Sequence, residues 1–271
     1  EPHGHDQQPV ADPRPREVAP SECRHASNLA SRPARARRTT DAGSPDRRTS
    51  GAHLGDGIER DRCGDTVRYV VNRNINYTNV CTYKCAFCAF SKGSTAEHLR
   101  GAPYDLAAEE IARRTVEAWE RGATEVCMQG GIHPDYTGET YLEICRIVKR
   151  AVPEMHIHAF SPLEVTQGAR TLGLSVDSFL LRLKEAGLGT LPGTAAEILD
   201  EEVRRKLCPD KLSTDEWLSV IEAAHRAEFR TTATIMFGHI DGYRNWARHL
   251  SRIRSLQRRT GGFTEFVPLP F

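Results

Sequence analysis

From residue 64 onward the chain repeats one unit: a short run of β-branched and aromatic residues, a polar or glycine-rich turn, and an amphipathic helical stretch. RYVVNRNINYT, TEVCMQGG, MHIHAFS, LGTLPG, RTTATIMFGH and FTEFVPLPF read as strands. LAAEEIARRTVEAWER, YLEICRIVKRAV, SVDSFLLRLKEAG, EWLSVIEAAHRAEF and RNWARHLSRIRSLQRRTGG read as the helices between them, one to a strand. After the first unit the strands begin roughly 30 to 40 residues apart, the rhythm of parallel strands joined by right-handed helical crossovers. Asp105 is expected to cap the start of the first helix, and Gly122 to end it as the C′ residue.

The expected fold is therefore α/β: a parallel βα barrel, TIM-like and partial, with about six strands. A doubly wound open sheet is the rival, but no G-x-G-x-x-G follows the first strand. The turns QGGIHPD, HAFSPLE, LPGTAAE and FGHID put polar groups at the C-terminal ends of the strands, the rim where such barrels carry chemistry. A final strand with no helix after it would be an uncovered edge. The absence of an initiator Met and the stop at Phe271 lead to the expectation that the sequence is shortened at both ends.

Composition breaks near residue 64. Residues 1–63 contain no Phe, Trp or Tyr, and their large aliphatics are only Val10, Val18, Leu29, Leu54 and Ile58. Such a stretch cannot bury enough apolar surface to offset its backbone entropy, so 1–63 is expected to be disordered and 64–271 to be the folded domain. A basic interaction arm is the alternative for the N-terminal stretch, although its charges are of mixed sign. The net charge of +1 gives no electrostatic case for nucleic acid as a partner. There is no apolar run of about 18 residues to span a membrane, and EPHGHDQQPV lacks the apolar core of a secretory signal, so a cytoplasmic location is expected.

Of eight cysteines, three cluster in NYTNVCTYKCAFCAFSKG: Cys81, Cys85 and Cys88, spaced C-x3-C-x2-C directly after the first strand. The spacing also fits one face of a helix with thiols packed as small hydrophobes, but Asn76, Thr78 and Asn79 before it and Ser-Lys-Gly after it are poor helix formers. A structural zinc site needs a fourth ligand, and Cys63 or His98 would have to supply it at spacings that match no common module. An iron–sulfur cluster with three thiolate ligands leaves one iron open to a small molecule. The last reading is favoured, and all three are compatible with the residues alone.

C-x3-C-x2-C at the end of the first strand of a βα barrel, with Phe87 before the third cysteine, resembles the radical S-adenosylmethionine (SAM) superfamily. The resemblance implies a 4Fe–4S cluster held by Cys81, Cys85 and Cys88, whose open iron chelates SAM. It further implies reductive cleavage of SAM to methionine and a 5′-deoxyadenosyl radical.

Within that superfamily VVNRNINYTNVCTYKCAFCAFSKG, EVCMQGGIHPDYTG, HAFSPLEV, LPGTAAEILDEEV, CPDKLST, TTATIMFGH and GGFTEFVPLPF are similar to the second half of actinobacterial FO synthase and its stand-alone counterpart, CofH. The similarity covers about 64–271. It implies transfer of the 4-hydroxybenzyl group of L-tyrosine to 5-amino-6-(D-ribitylamino)uracil, a step toward the deazaflavin FO and coenzyme F-420. An electron donor and a ring-closing partner, CofG or the first half of the fused enzyme, are implied as well. A menaquinone-pathway radical SAM enzyme and an inactive fragment of an FO synthase stay open as alternatives.

The resemblance assigns Gly130 and Gly131 to the methionyl amine of SAM and Phe87 to its adenine. The alternatives are an ordinary βα turn and a core aromatic. Glu164, just past the third strand, could bind a ribose hydroxyl or an amine, and Glu197, just past the fourth, is the expected catalytic carboxylate. Carboxylates at helix N-termini are also stabilised by the macrodipole. His239 is the expected proton-transfer residue, with His133 and His158 as other rim candidates. Asn72, Asn74 and Asn76 alternate along the first strand, which points to a polar ligand cavity or a solvated face. Cys127, Cys145 and Cys208 are assigned to packing.

Overall fold

A computed structural model of the chain describes residues 69–83, 85, 87–91 and 102–271. The expectation of disorder for 1–63, and Cys23, Cys63 and His98, lie outside the described residues.

Six strands form one parallel sheet: β1 (Asn72–Asn76), β2 (Glu125–Gln129), β3 (His156–Ala159), β4 (Thr190–Leu191), β5 (Arg230–Phe237) and β6 (Phe263–Pro270). Their spatial order is their sequence order. A doubly wound sheet reverses its order at a switch point; this one does not, so its strands curl as a half-barrel. The curl carries the Glu265 carboxylate of β6 close enough to Glu125 of β2 to raise its pKa, after burial, which raises it more.

The helices are α1 (Ala108–Glu120), α2 (Gly138–Ala151), α3 (Pro162–Thr171), α4 (Val176–Glu185), α5 (Glu201–Leu207), α6 (Thr214–Arg226) and α7 (Tyr243–Thr260). The rule of one helix per strand fails twice, because β3 is followed by α3 and α4 and β4 by α5 and α6. The sequence offered a signal for α3. Ser161 and Glu164 form a capping box with Pro162 at the first helical position. Asp105 does not cap α1, which starts after Ala107; instead its carboxylate accepts from the Tyr136 hydroxyl. Gly122 is the left-handed C′ residue as expected, at φ +85°.

The main core lies between the helices and one face of the sheet. Ile75, Val126, Met128 and Ile157 from the strands meet Ile111, Leu142, Ile144, Val148, Phe179 and Leu183 from the helices. Alternation leaves Asn72, Asn74 and Asn76, Glu125, Cys127 and Gln129, and His156 and His158 on the other, concave face. Cys145 and Cys208 are buried as expected of packing thiols, but Cys127 is not a core residue: it stands half-buried on the concave face. All of β6 except Phe263 is exposed. Among the described residues no helix is long and apolar enough to cross a membrane.

Candidate active site

The three cysteines sit on the loop that leaves β1 at the C-terminal rim. A ladder onto the end of β2 holds that loop: Gly131 N–H donates to the Thr78 carbonyl (2.9 Å), and Thr82 N–H to the Ile132 carbonyl (2.9 Å). Ile132 N–H points at Cys81 Sγ (3.3 Å) and Ser91 N–H at Cys88 Sγ (3.3 Å).

Gly130 and Gly131 allow this contact. A Cβ on Gly131 would lie 2.2 Å from the Val80 carbonyl oxygen and 2.8 Å from Cys81 Cβ. On Gly130 it would lie 2.2 Å from the Tyr77 ring. Both glycines are thus required by the approach of the cysteine loop to β2, whatever else they touch.

Glu164 is 2% exposed and tied to four donors. Oε1 accepts from the Tyr77 hydroxyl and Gly130 N–H (3.2 Å), and Oε2 from Ser161 N–H (2.7 Å) and Oγ (2.5 Å). Burial raises its pKa, while the Ser161 and Tyr77 hydroxyls and the two N–H groups oppose the rise. The carboxylate therefore joins β1, β2 and the start of α3, directly beneath the cysteine loop.

On the far side of the loop, Cys85 and Phe87 pack against Ile198, Val203, Leu207, Cys208 and Ile235. Lys211 projects into the same place, with Nζ 2.7 Å from Glu197 Oε1 and 5.4 Å from the Phe87 ring centre. Burial pushes the Cys85 thiol up to about 11, with Lys211 opposing. Burial also works against the Lys211 ammonium, but Glu197 and Cys85 outweigh it and hold its pKa above the ordinary value. Lys211 was missed by sequence reasoning: CPDKLST gives no spacing that links it to the cysteines, and only the fold does so.

Glu197 itself sits in the left-handed region (φ +44°), with its carbonyl accepting from Met236 N–H (2.9 Å). Two residues earlier Ala195 is also left-handed (φ +59°), so the strand-end turn LPGTAAE carries backbone strain at the rim. His239 follows β5; its Nδ1 is buried without a hydrogen-bond partner, and its ring meets Phe271 edge-on at 4.4 Å. His133 stacks on Tyr136 (4.9 Å). His158 lies lower, on β3, bonded through Nδ1 to Thr190 Oγ (2.7 Å). The fold thus brings Cys85, Phe87, Glu197 and Lys211 together, and Cys81, Gly130, Gly131 and Glu164 together beside them. It leaves His133 and His158 apart.

The donor set suits an iron–sulfur cluster. The three thiols are free and half-buried, and two of them face N–H groups. Among the described residues no three Cys, His, Asp or Glu side chains converge as they would around a single ion.

Known proteins agree with this geometry. Residues 75–253 match the family described as the radical SAM superfamily. FO synthase of Mycobacterium leprae is 52% identical over 220 residues, which make up 80% of this chain and 25% of that protein. The 5-amino-6-(D-ribitylamino)uracil–L-tyrosine 4-hydroxyphenyl transferase of Methanocaldococcus jannaschii is 49% identical over 219 residues, 80% of this chain and 60% of that one. The chain therefore spans a quarter of the FO synthase and less than two thirds of the transferase. Among solved structures, the hydrogenase maturase HydG superposes with a TM-score of 0.60 at 15% identity, covering 84% of this chain and 48% of that one. Methylornithine synthase does so with 0.58 at 21%, covering 78% and 57%. These two share the fold alone. With cysteines on the β1 loop, a sequentially ordered parallel half-barrel and a match over 75–253, the chain belongs to the radical SAM superfamily.

Proposed function

We propose that this chain carries the radical-generating half-barrel of an enzyme that joins the 4-hydroxybenzyl group of L-tyrosine to 5-amino-6-(D-ribitylamino)uracil. The observation that carries the reading is the C-x3-C-x2-C loop on the rim, seated on β2 through Gly131 and Ile132, in a chain about half identical to proteins named for that reaction. Ring closure to the deazaflavin belongs to a separate partner site, and a cytoplasmic setting with an electron donor completes the reading.

Cys81, Cys85 and Cys88 would hold a 4Fe–4S cluster, which would supply the electron for reductive cleavage of SAM. The residues of the chain do the rest. Ile132 and Ser91 N–H groups orient the Cys81 and Cys88 sulfurs. Lys211 stands beside Cys85 and opposes the rise that burial gives its thiol. Gly130 and Gly131 leave the β2 rim without side chains, so main-chain groups can meet a methionyl amine. Phe87 offers an apolar face to adenine. Glu164, with its oxygens already taken by protein donors, acts as a positioning residue rather than as a direct ligand. Glu197 pairs with Lys211 at the rim, and His239, which follows β5, is the proton-transfer candidate of this reading.

Anaerobic reconstitution with iron and sulfide tests this. A cluster whose EPR spectrum changes when SAM is added, lost in Cys85→Ala, is expected. Tyrosine plus the diaminouracil should then yield 5′-deoxyadenosine and the coupled product by mass spectrometry. A chain that binds no iron overturns the reading of the cysteines; a loaded chain that cleaves SAM with tyrosine yet forms no coupled product overturns the assignment of the acceptor.

A further inference from the structure

The strand register aligns the concave side chains in levels. Asn74 pairs with Cys127, Cys127 with His158, and His158 with Thr190; one level nearer the rim, Asn76 pairs with Gln129. The inside of a closed βα barrel is normally filled by layers of branched apolar side chains. These two levels contain amides, a thiol, an imidazole and a hydroxyl.

Contacts along the face confirm that the groups share it. Asn74 Nδ2 donates to Asn76 Oδ1 (3.3 Å) and Gln129 Nε2 to Cys127 Sγ (3.8 Å). Thr190 Oγ lies 2.8 Å from His156 Nε2 and 2.7 Å from His158 Nδ1. A hydroxyl has one proton, so it donates to one imidazole and accepts from the other, which fixes the two rings in complementary roles. Burial, and then His156, lower the His158 pKa to about 4, so the ring is neutral at pH 7. Its Nε2 has no protein partner among the described residues and is left for a ligand.

We infer that this patch of β1–β4, formed by Asn74, Asn76, Cys127, Gln129, His158 and Thr190, binds the pyrimidine co-substrate through its alternating C=O and N–H edge and its polyol, and does not bind the amino acid. The inference rests on the reading given under Proposed function. Charge decides between the two substrates. An amino-acid zwitterion brings an ammonium and a carboxylate that need charged partners once desolvated, and the six groups of the patch carry no charge. Arg230, in register with Thr190, is tied to the Gly261 carbonyl (2.6 Å). Glu125 lies one level below, 3.8 Å from His156, and the Lys211–Glu197 pair is at the rim. Primary amides, with donor and acceptor side by side, complement a neutral imide edge.

The test is anaerobic titration calorimetry on the reconstituted chain with 5-amino-6-(D-ribitylamino)uracil and with L-tyrosine. Native protein is compared with Asn74→Leu, Gln129→Leu and Thr190→Val, each checked for an unchanged melting temperature. Each variant should weaken the diaminouracil about ten- to a hundredfold and leave tyrosine within about twofold, the loss expected when a ligand group is buried unpaired. Unchanged diaminouracil affinity in all three overturns the inference, as does equal loss of both ligands. If the native chain binds tyrosine but no diaminouracil, the proposed acceptor itself falls, an outcome that the variants play no part in.

Discussion

Replacing Gly131 by Ala gives a sharp test of how the cysteine loop is held. The new Cβ would stand 2.2 Å from the Val80 carbonyl oxygen, 2.8 Å from the Val80 carbonyl carbon and 2.8 Å from Cys81 Cβ. Main-chain atoms cannot rotate away as the end of a long side chain can, so the β1 loop must lift from β2. Lifting strains the Gly131–Thr78 and Thr82–Ile132 bonds and draws Ile132 N–H from Cys81 Sγ. Overpacking of this kind costs about 1–3 kcal/mol, and a lost hydrogen bond about 1 kcal/mol more. At roughly 2–4 °C per kcal/mol for a domain of this size, the melting temperature should fall by about 4–16 °C. Calorimetry of the metal-free chain reads the fall, and iron content after reconstitution should drop with it. Gly173 is the control, since it is left-handed (φ +64°) with nothing within 4 Å of an added Cβ. Ala there should cost about 1–2 kcal/mol of backbone strain without loss of iron. A Gly131→Ala chain with native melting and full iron would show that the loop is not seated as described.

Lys211→Met leaves the half-buried Glu197 without its partner and should lower urea stability by about 1–3 kcal/mol, with part of the loss recovered on adding Glu197→Gln. Glu164→Gln turns an amide NH2 toward donors that now meet a carboxylate, and should cost about 2–3 kcal/mol by the same measurement. His249 is fully buried, and burial, then Arg204 and Arg252, lower its pKa to about 4. The unfolded chain binds its proton first, so this stability is complete above about pH 6.5 and is lost as pH falls toward 4, by up to about 1.4 kcal/mol per pH unit. Melting temperature against pH reads the slope, which should be shallower in His249→Asn.

Period and turn chemistry made the strands legible: all six lie within the runs read as strands, and Gly122 closes α1 as expected. The capping box at Ser161 and Glu164 was equally visible, yet Glu164 was read for its charge rather than for its spacing from Ser161, so α3 was missed. Asp105 misled for the opposite reason. It has the right residue type for a cap, but the Tyr136 hydroxyl, brought in from the β2–α2 connection, claims its carboxylate. The three cysteines needed no fold to be noticed. The approach of Lys211 to Cys85 and Phe87 could not be read, because more than a hundred residues and three strands intervene. Cys127 was misplaced because alternation on β2 alone does not say which face meets the helices.

Glu164 shows why a rim carboxylate need not be catalytic. A lone buried carboxylate is costly, and this one is tolerated because four donors from three elements converge on it. Two of those donors matter for the cysteine loop. Tyr77 is the last core residue before the loop begins, and Gly130 immediately precedes the glycine on which the loop rests. The carboxylate therefore fixes the distance between the ends of β1 and β2, and with it the distance from Cys81 Sγ to Ile132 N–H. Tyr77→Phe separates this role from any direct contact with a cofactor, because it removes one donor and leaves the carboxylate in place. If the carboxylate acts through position, Tyr77→Phe and Glu164→Gln should both reduce iron retention in the absence of SAM. A defect in Glu164→Gln that appears only when SAM is added would mean that the carboxylate meets the cofactor itself.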